Sequence, residues 1–437
     1  MRTVCTCLLV GVVCLMNVYT QTAETFASQW EKGHVSRLNP SDVRHADLKK
    51  YLDDVRKLGV PVTEVGRSGA NREIYQMEFG KGPLKIFMWS QMHGDEPTAT
   101  SALIDLFAFL QKNKDSDLVK KISETVTIRA VPMLNPDGCE MYKRRNLQDI
   151  DINRDAVDLA TPEARLLKKL RDDWSPAIGF NLHNQNGLTT VGIAPQQAAI
   201  SFLVVYGDAE KTTNPGQERN TRLVSAMVTA LQKFVPGHIG RYGDEYTPTA
   251  FGDNFSGWGT PTILIETRSL FGKDEFFLVK MNFIAYMTAL HALATGSEAT
   301  LSTAPYLSLI ENGSGSLVTT VFRRANIVRG TAPMMITPGD ISTVAQRRRA
   351  SFTPLSTIRS VGDVGYVRGL EEYDASNFYV LQRFGRTAPG ELAEFSFFKK
   401  DRAIDWSSLD LEKQFPPDAI FSMGKFIKGE GVVPKLN

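Results

Sequence analysis

The chain has 437 residues, 42% apolar and 22% charged, with 50 Lys and Arg against 48 Asp and Glu for a net charge of +2. That length admits two or three domains, and that composition excludes a mainly disordered or collagen-like chain. A charge so near zero gives no electrostatic reason to expect nucleic acid or an anionic membrane as partner.

The first twenty residues read MRTVCTCLLVGVVCLMNVYT. One basic residue, Arg2, precedes an apolar run from Cys7 to Met16, and Thr20, Gln21 and Ala23 return the chain to polar or small character. This is the layout of a secretory signal peptide. The run is shorter than the ~20 residues of a membrane span, so no stable span is expected here. Residues 1–22 are therefore expected to be a leader cut near Thr20–Ala23, and the protein to be secreted or periplasmic. Val12-Val13 before Cys14 lacks the small residue of a lipoprotein processing site, which favours a form without a lipid anchor. Cysteines stand at 5, 7, 14 and 139. Removal of the leader leaves Cys139, and no internal disulfide is expected of the mature chain.

Residues 41–59 predict a helix with Ser41 as N-cap and Val43, Leu48, Tyr51, Leu52, Val55 and Leu58 on one side. Residues 73–79 and 84–89 predict strands. Residues 98–110 predict a buried helix entered through Pro97. Residues 126–134 predict a strand that ends in the turn Asn135-Pro136-Asp137-Gly138. Further helices are predicted over 161–173, 219–234 and 274–293, and further strands over 177–183, 200–206 and 262–267. Helices alternating with apolar strands predict an α/β fold, a mixed central sheet flanked by helices. Past a small-residue stretch near 296–305 the pattern changes to short extended segments such as 317–328 and 378–384, broken by Gly and Pro. Residues 301–437 are expected to form a smaller β-rich C-terminal domain. Its arginine runs, Arg323-Arg324 and Arg347-Arg348-Arg349, read as a solvated face because balancing acids share the segment.

Two of the six histidines end strands beside other polar groups. His93 and Glu96 lie three apart in HGDE, after the apolar strand and before the helix, so their side chains can converge. An imidazole and a carboxylate make a partial zinc shell, and His183 at the end of its strand can supply a third ligand. Two His and one Glu leave a fourth position for water, the arrangement of catalytic zinc. HxxE alone is weak: such a pair is more often an exposed ion pair, and a strand-end His is usually a satisfied polar residue.

The pieces taken together are more specific. HGDEPTAT follows a strand; a second strand ends in NPDG; KRRN (residues 143–146) and DINRD (residues 151–155) come next; a strand closes on NLH at His183; and TILIET carries Glu266 near its end. In this order the chain resembles the zinc carboxypeptidases of the carboxypeptidase A type, metallopeptidase family M14, over roughly residues 40–295. SQMHGDEPTAT, ISFL and AFGDNFSGWGTPTILIE look most like exported bacterial members. The resemblance implies a catalytic domain over 40–296 and one zinc ion per chain, held by His93, Glu96 and His183. It implies a peptide substrate with a free C-terminal carboxylate.

Glu266, ending a buried strand, suits the base that takes the proton of a zinc-activated water and returns it to the leaving amine. The resemblance gives the oxyanion-stabilising role to Arg144, with Arg145 as its neighbour should the register slip. It gives the carboxylate-binding role to Asn153 and Arg154, since a guanidinium fork grips a carboxylate with two bonds. It gives the mobile-loop tyrosine to Tyr246, with Tyr242 also in range. The stretch 241–258 would hold the side-chain pocket, and its acidic and aromatic residues give conflicting cues. Two other readings stay open: a zinc amidase or deacylase acting on cell-wall peptides or acylated amino acids, and a non-catalytic binding protein on the same scaffold.

Overall fold

The computed structural model describes residues 22–330, 334–362 and 364–436. Residues 1–21 of the expected leader, with Cys5, Cys7 and Cys14, lie outside the described residues. The chain forms two compact units, one of residues 22–187 and 198–312, the other of 188–197 and 313–436. The change of style near residue 300 thus marks a boundary that falls at 312, and ten residues after His183 go with the second unit.

Strands of the first part of the chain are β1 (Val62–Arg67), β2 (Glu73–Gly80), β3 (Leu84–Ser90), β4 (Val126–Val131), β5 (Ile178–His183), β6 (Thr190–Val191), β7 (Ile200–Val205), β8 (Ile239–Arg241) and β9 (Thr262–Thr267). All but β6 form one eight-stranded mixed sheet in the order β1-β2-β4-β3-β5-β9-β7-β8. Strands β4, β3, β5 and β9 run parallel, so their carboxyl ends open on one edge. β2 against β4 and β7 against β9 are antiparallel. The central strands read as apolar runs because both faces are covered.

The helices are α1 (residues 22–33), α2 (His45–Lys57), α3 (Thr98–Lys112), α4 (Asp117–Thr125), α5 (Pro136–Met141), α6 (Pro162–Trp174), α7 (Pro215–Leu231), α8 (Phe251–Gly257) and α9 (Glu275–Thr295). Alternation within a strand sorts the two faces. Ile263 and Ile265 of β9 join the main core with α3, α7 and α9. Phe87 and Trp89 of β3 pack on the other face with Phe251 and Phe255 of α8. Helix α9 has the length and hydropathy of a membrane span, yet it is a core helix, buried over most of its length.

Three details depart from the sequence reading. The helical pattern expected over 41–59 is a short 3-10 turn, Pro40–Asp42, followed by α2. Helix α1 was not anticipated; it is held by Asp105 of α3, whose carboxylate accepts from Trp30 Nε1, Val35 N, Ser36 N and Ser36 Oγ at 2.8–2.9 Å. The turn expected at NPDG is the start of α5: Asn135 is its N-cap, accepting from Gly138 N at 2.8 Å, and Pro136 takes the first helical position.

β10 (Asn312–Gly313) falls at the boundary, and the second unit is built on β11 (Leu317–Arg329), β12 (Met335–Ala345), β13 (Ser356–Gly362), β14 (Arg368–Asp374), β15 (Phe378–Gln382), β16 (Phe395–Lys399), β17 (Ala419–Ser422) and β18 (Lys425–Lys428). Its sheet runs β13-β12-β11-β15-β16-β17-β18, with β14 parallel to the first half of β11. Phe322, Phe395, Phe397 and Phe421 form its core. A bulge at Arg323-Arg324 turns Arg323 inward, onto Glu372, Asp340 and the carbonyls of Val364 and Val367. Arg323 and Arg349 are buried and depart from the solvated face expected from composition, whereas Arg324 and Arg347 are exposed as expected.

Candidate metal centre

The carboxyl ends of β3, β4, β5 and β9 bring the polar groups together, as crevices outside strand ends do in open α/β sheets. His183 is the last residue of β5 and pairs in register with Glu266 of the adjacent parallel strand β9. Neighbouring strands lie about 4.8 Å apart, so the two side chains stand side by side on one face. His93 and Glu96 occupy a tight turn between β3 and α3, closed by Glu96 N donating to His93 O at 3.1 Å. They therefore converge through a turn and not through a helical face. Gln91 enters this turn with φ of 51°, a left-handed conformation that redirects the chain toward the site. Its side chain is held by Gly94 O and Thr100 Oγ1.

The glycines of the two motifs explain each other. A Cβ on Gly94 would collide with the backbone of Gly138 and Cys139. HGDE and NPDG are thus two backbones in direct contact, and neither position has room for a side chain. Buried Cys139 donates through Sγ to Val43 O at 3.3 Å.

His93, Glu96 and His183 are buried and converge. His93 Nδ1 and His183 Nδ1 are 3.1 Å apart; Glu96 Oε1 lies 3.0 Å from the first and Oε2 lies 2.8 Å from the second. Donors around a tetrahedral zinc with bonds of about 2.0–2.1 Å stand about 3.3 Å apart, so small outward shifts suffice to seat the ion. His183 Nε2 is buried with no hydrogen-bond partner among the described residues, and Nδ1 is the nitrogen turned to the group. This donor set fits zinc.

Asp151 completes the frame. Its carboxylate lies 3.0 Å from His93 Nε2 and 2.9 Å from Arg144 Nε. A carboxylate behind a ligand imidazole fixes the ring and leaves the other nitrogen for the metal. Burial disfavours a charged His93, but Glu96 and Asp151 outweigh it and raise its pKa to about 9. Burial also opposes the charge of Glu96, but His93 and His183 hold it well below the usual carboxylate range. Burial lowers His183.

The structure separates the two neighbouring arginines. Arg144 Nη1 lies 3.2 Å from His93 Nδ1 and 3.5 Å from Glu96 Oε1, whereas Arg145 turns away and donates to Asp149 O. Arg144 follows Tyr142, another left-handed residue with φ of 51°. The loop beyond is organised by Asn146, which accepts from Gln148 N and Ile150 N and donates to buried Glu163. Glu163 also accepts from Gly69 N in the β1–β2 turn.

Asn153 and Arg154 lie in a 3-10 turn, Ile152–Arg154, beside α8. Asn153 Oδ1 accepts from Phe251 N at 2.9 Å. Arg154 is exposed; its guanidinium donates to Asn153 O, and no acid pairs with it among the described residues. Asp253 of α8 accepts from Thr247 N, and burial pushes it up to about 6.

Of the loop tyrosines, Tyr242 is the one in the field of the site: the Glu266 carboxylate, with burial, pushes its phenol up to about 12. Tyr246 makes no side-chain hydrogen bond among the described residues. Asp151 and Glu163 were missed in the sequence; the only signal was that Asp151 opens the DINRD segment. The chain carries two Asn-x-Ser sequons, Asn254-Phe255-Ser256 and Asn312-Gly313-Ser314, and their amides are occupied: Asn254 Nδ2 donates to Pro248 O and Ala250 O, and Asn312 Nδ2 to Gln185.

Residues 49–243 match the sequence profile of the zinc carboxypeptidases, peptidase family M14. This segment is similar to a zinc carboxypeptidase domain. It contains His93, Glu96, Arg144, Asn153, Arg154, His183 and Tyr242, while Glu266 lies beyond the matched segment and is placed by its strand register. Among curated proteins, the chain is 30% identical over 109 residues to probable carboxypeptidase 2 of Arthroderma benhamiae, covering 25% of this chain and 20% of that one. It is 31% identical over 126 residues to carboxypeptidase SOL1 of Arabidopsis thaliana, covering 26% of each. The chain thus spans about a fifth to a quarter of the length of these relatives. A metallo-carboxypeptidase from Burkholderia cenocepacia aligns with a TM-score of 0.47 and 16% identity, covering 58% of this chain and 69% of that one.

Proposed function

We propose that this protein is an exported zinc carboxypeptidase that releases the C-terminal residue of peptides. The observation that carries the reading is the buried His93–Glu96–His183 group with Glu266 in register beside His183. Export is inferred from the leader-like sequence of residues 1–20 alone.

Held by the three ligands, zinc would polarise the scissile carbonyl and lower the pKa of a coordinated water toward ~7. The remaining work falls to side chains. Arg154 takes the terminal carboxylate, and Asn153, tied to α8, sets its position. This pairing requires a free C-terminus, which makes the enzyme an exopeptidase. Arg144 places a fixed positive charge beside the ligands, where the carbonyl oxygen gains negative charge. Glu266, buried beside His183, takes the proton of the attacking water and passes it to the leaving nitrogen. Tyr242, not Tyr246, is the loop tyrosine suited to close over the substrate, since it already lies in the field of Glu266.

The test joins metal content to product analysis. The purified protein should carry one zinc per chain and release single residues from the carboxyl end of a peptide mixture. It should leave the same peptides untouched when they end in an amide. Metal without release of C-terminal residues would refute the reading, and cleavage of N-acylated amino acids alone would point to a deacylase.

A further inference from the structure

The face of the sheet that carries His183 and Glu266 continues below them. The register pairs Glu266 with Ser201 of β7, and one step deeper it sets Asn181, Leu264 and Leu203 side by side. That second row lies two residues, about 6.6 Å, down the strands from the first. Leu203, Leu264 and Val205 form a small cluster of their own, apart from the two larger cores. Leu203 and Leu264 each keep 7% exposure, equal to that of Glu266, so they floor a recess beneath it. On its other side Asn181 pairs with Trp89 of β3, and its amide is the acceptor that this row offers. Asn181 is 3% exposed, and its Oδ1 has no hydrogen-bond partner among the described residues. Helix α8 roofs the same spot: a Cβ on Gly252 would sit 3.1 Å from Asn181 Nδ2 and 3.7 Å from Val205. Glycine at 252 leaves the amide room to face the recess.

A buried amide oxygen without a partner is costly, and a ligand that supplies a donor relieves the cost. The row offers apolar walls and a neutral hydrogen-bonding end. It contains no carboxylate, and a buried ammonium or guanidinium requires one. The nearby acid of α8, Asp253, is engaged by Thr247 N.

We propose that Asn181 sets the specificity of this site, selecting C-terminal residues with an apolar stem and a neutral hydrogen-bonding tip, such as Tyr or Gln, over their apolar counterparts Phe or Met. The inference rests on the carboxypeptidase reading above and adds the substrate class.

The test compares kcat/KM for peptides identical except for their last residue, Tyr against Phe and Gln against Met. Inhibition by the free amino acids serves as a readout independent of turnover. The native enzyme should favour each tipped residue by roughly 10-fold or more, because a pocket that offers an unpaired acceptor rejects a side chain without a donor. The near-isosteric Asn181→Leu should remove or invert both ratios. Asn181→Ser keeps a polar group of shorter reach and should give intermediate ratios if the leucine variant does not fold. Equal ratios in native and variant enzymes would overturn the assignment. The Asn181 oxygen would then be satisfied inside the protein, for example by a water shared with Trp89 Nε1, which is also buried without a protein partner. Preference of the native enzyme for C-terminal Lys or Arg would overturn it as well. Failure to release any residue from any peptide would instead overturn the carboxypeptidase reading, and the inference with it.

Discussion

Asp151→Asn separates two effects that a single metal-affinity value would merge. In the metal-free protein, Glu96 is already ionised and burial keeps His183 neutral, so the proton displaced by zinc at neutral pH belongs to His93. With a His93 pKa of about 9, that proton weakens apparent zinc affinity at pH 7 by about 100-fold, or ~2.7 kcal/mol. Native affinity should therefore rise about tenfold per pH unit from 7 to 9 and level off above. Asn at 151 removes one of the two acids that sustain the high pKa, so the variant should release fewer protons and show a shallower slope. It also loses the anchor 3.0 Å from His93 Nε2 and 2.9 Å from Arg144 Nε. Loss of such a supporting group typically weakens metal affinity 10–100-fold. The variant should therefore bind more weakly by about that factor at pH 9, with the gap narrowing toward pH 7. Zinc titration against a competing chelator across this range measures the gap. Calorimetry in two buffers of different ionisation enthalpy counts the protons. A pH-independent gap, or binding with no proton release at pH 7, would refute the reasoning.

Glu266→Gln should keep the zinc and lose about 10²–10⁴ in kcat, checked by metal analysis beside peptide turnover; full activity would remove Glu266 as the base. Arg154→Ala should raise KM for free-acid peptides by roughly 10- to 100-fold, the scale of a lost charge-assisted pair, while leaving metal content unchanged. Glu163→Ala removes the acceptor of Gly69 N and one of the two acceptors of Asn146 Nδ2. It should cost about 1–3 kcal/mol in denaturant unfolding and speed amide exchange over residues 146–151. In the chelated protein, the raised His93 pKa contributes stability that is complete below about pH 6.5 and is lost as pH rises to about 9. Denaturant midpoints of the chelated enzyme should fall across that window, and loading zinc should abolish the trend.

The residues that were legible are those whose position follows from local rules. His183 and Glu266 close apolar strands whose neighbours are parallel, so their meeting follows once the strands are recognised. Gly94 and Gly138 marked their motifs because two backbones touch there, a steric demand that leaves a trace in sequence. Where local rules ran out, the reading slipped. NPDG looked like a turn because its N-cap and Pro-at-first-position chemistry also begins a helix. Arg323 looked like surface charge because its partners Asp340 and Glu372 come from other strands. Tyr246 and Tyr242 both fit the spacing, which cannot show that the Glu266 carboxylate acts on the Tyr242 phenol.

By itself, then, the sequence determined an α/β fold with a β-rich second unit, a group of two histidines and a glutamate able to hold a metal, and a resemblance to the zinc carboxypeptidases. These follow from periodicity, from strand-end polar residues and from steric demands on glycine, all local or nearly so. Tertiary structure alone decided that Asp151 stands behind His93, that Arg144 rather than Arg145 faces the ligands, and that Asn181 sits beneath Glu266. Each is a contact between side chains brought together by strand order and register, and such contacts leave no periodic mark in the chain that makes them.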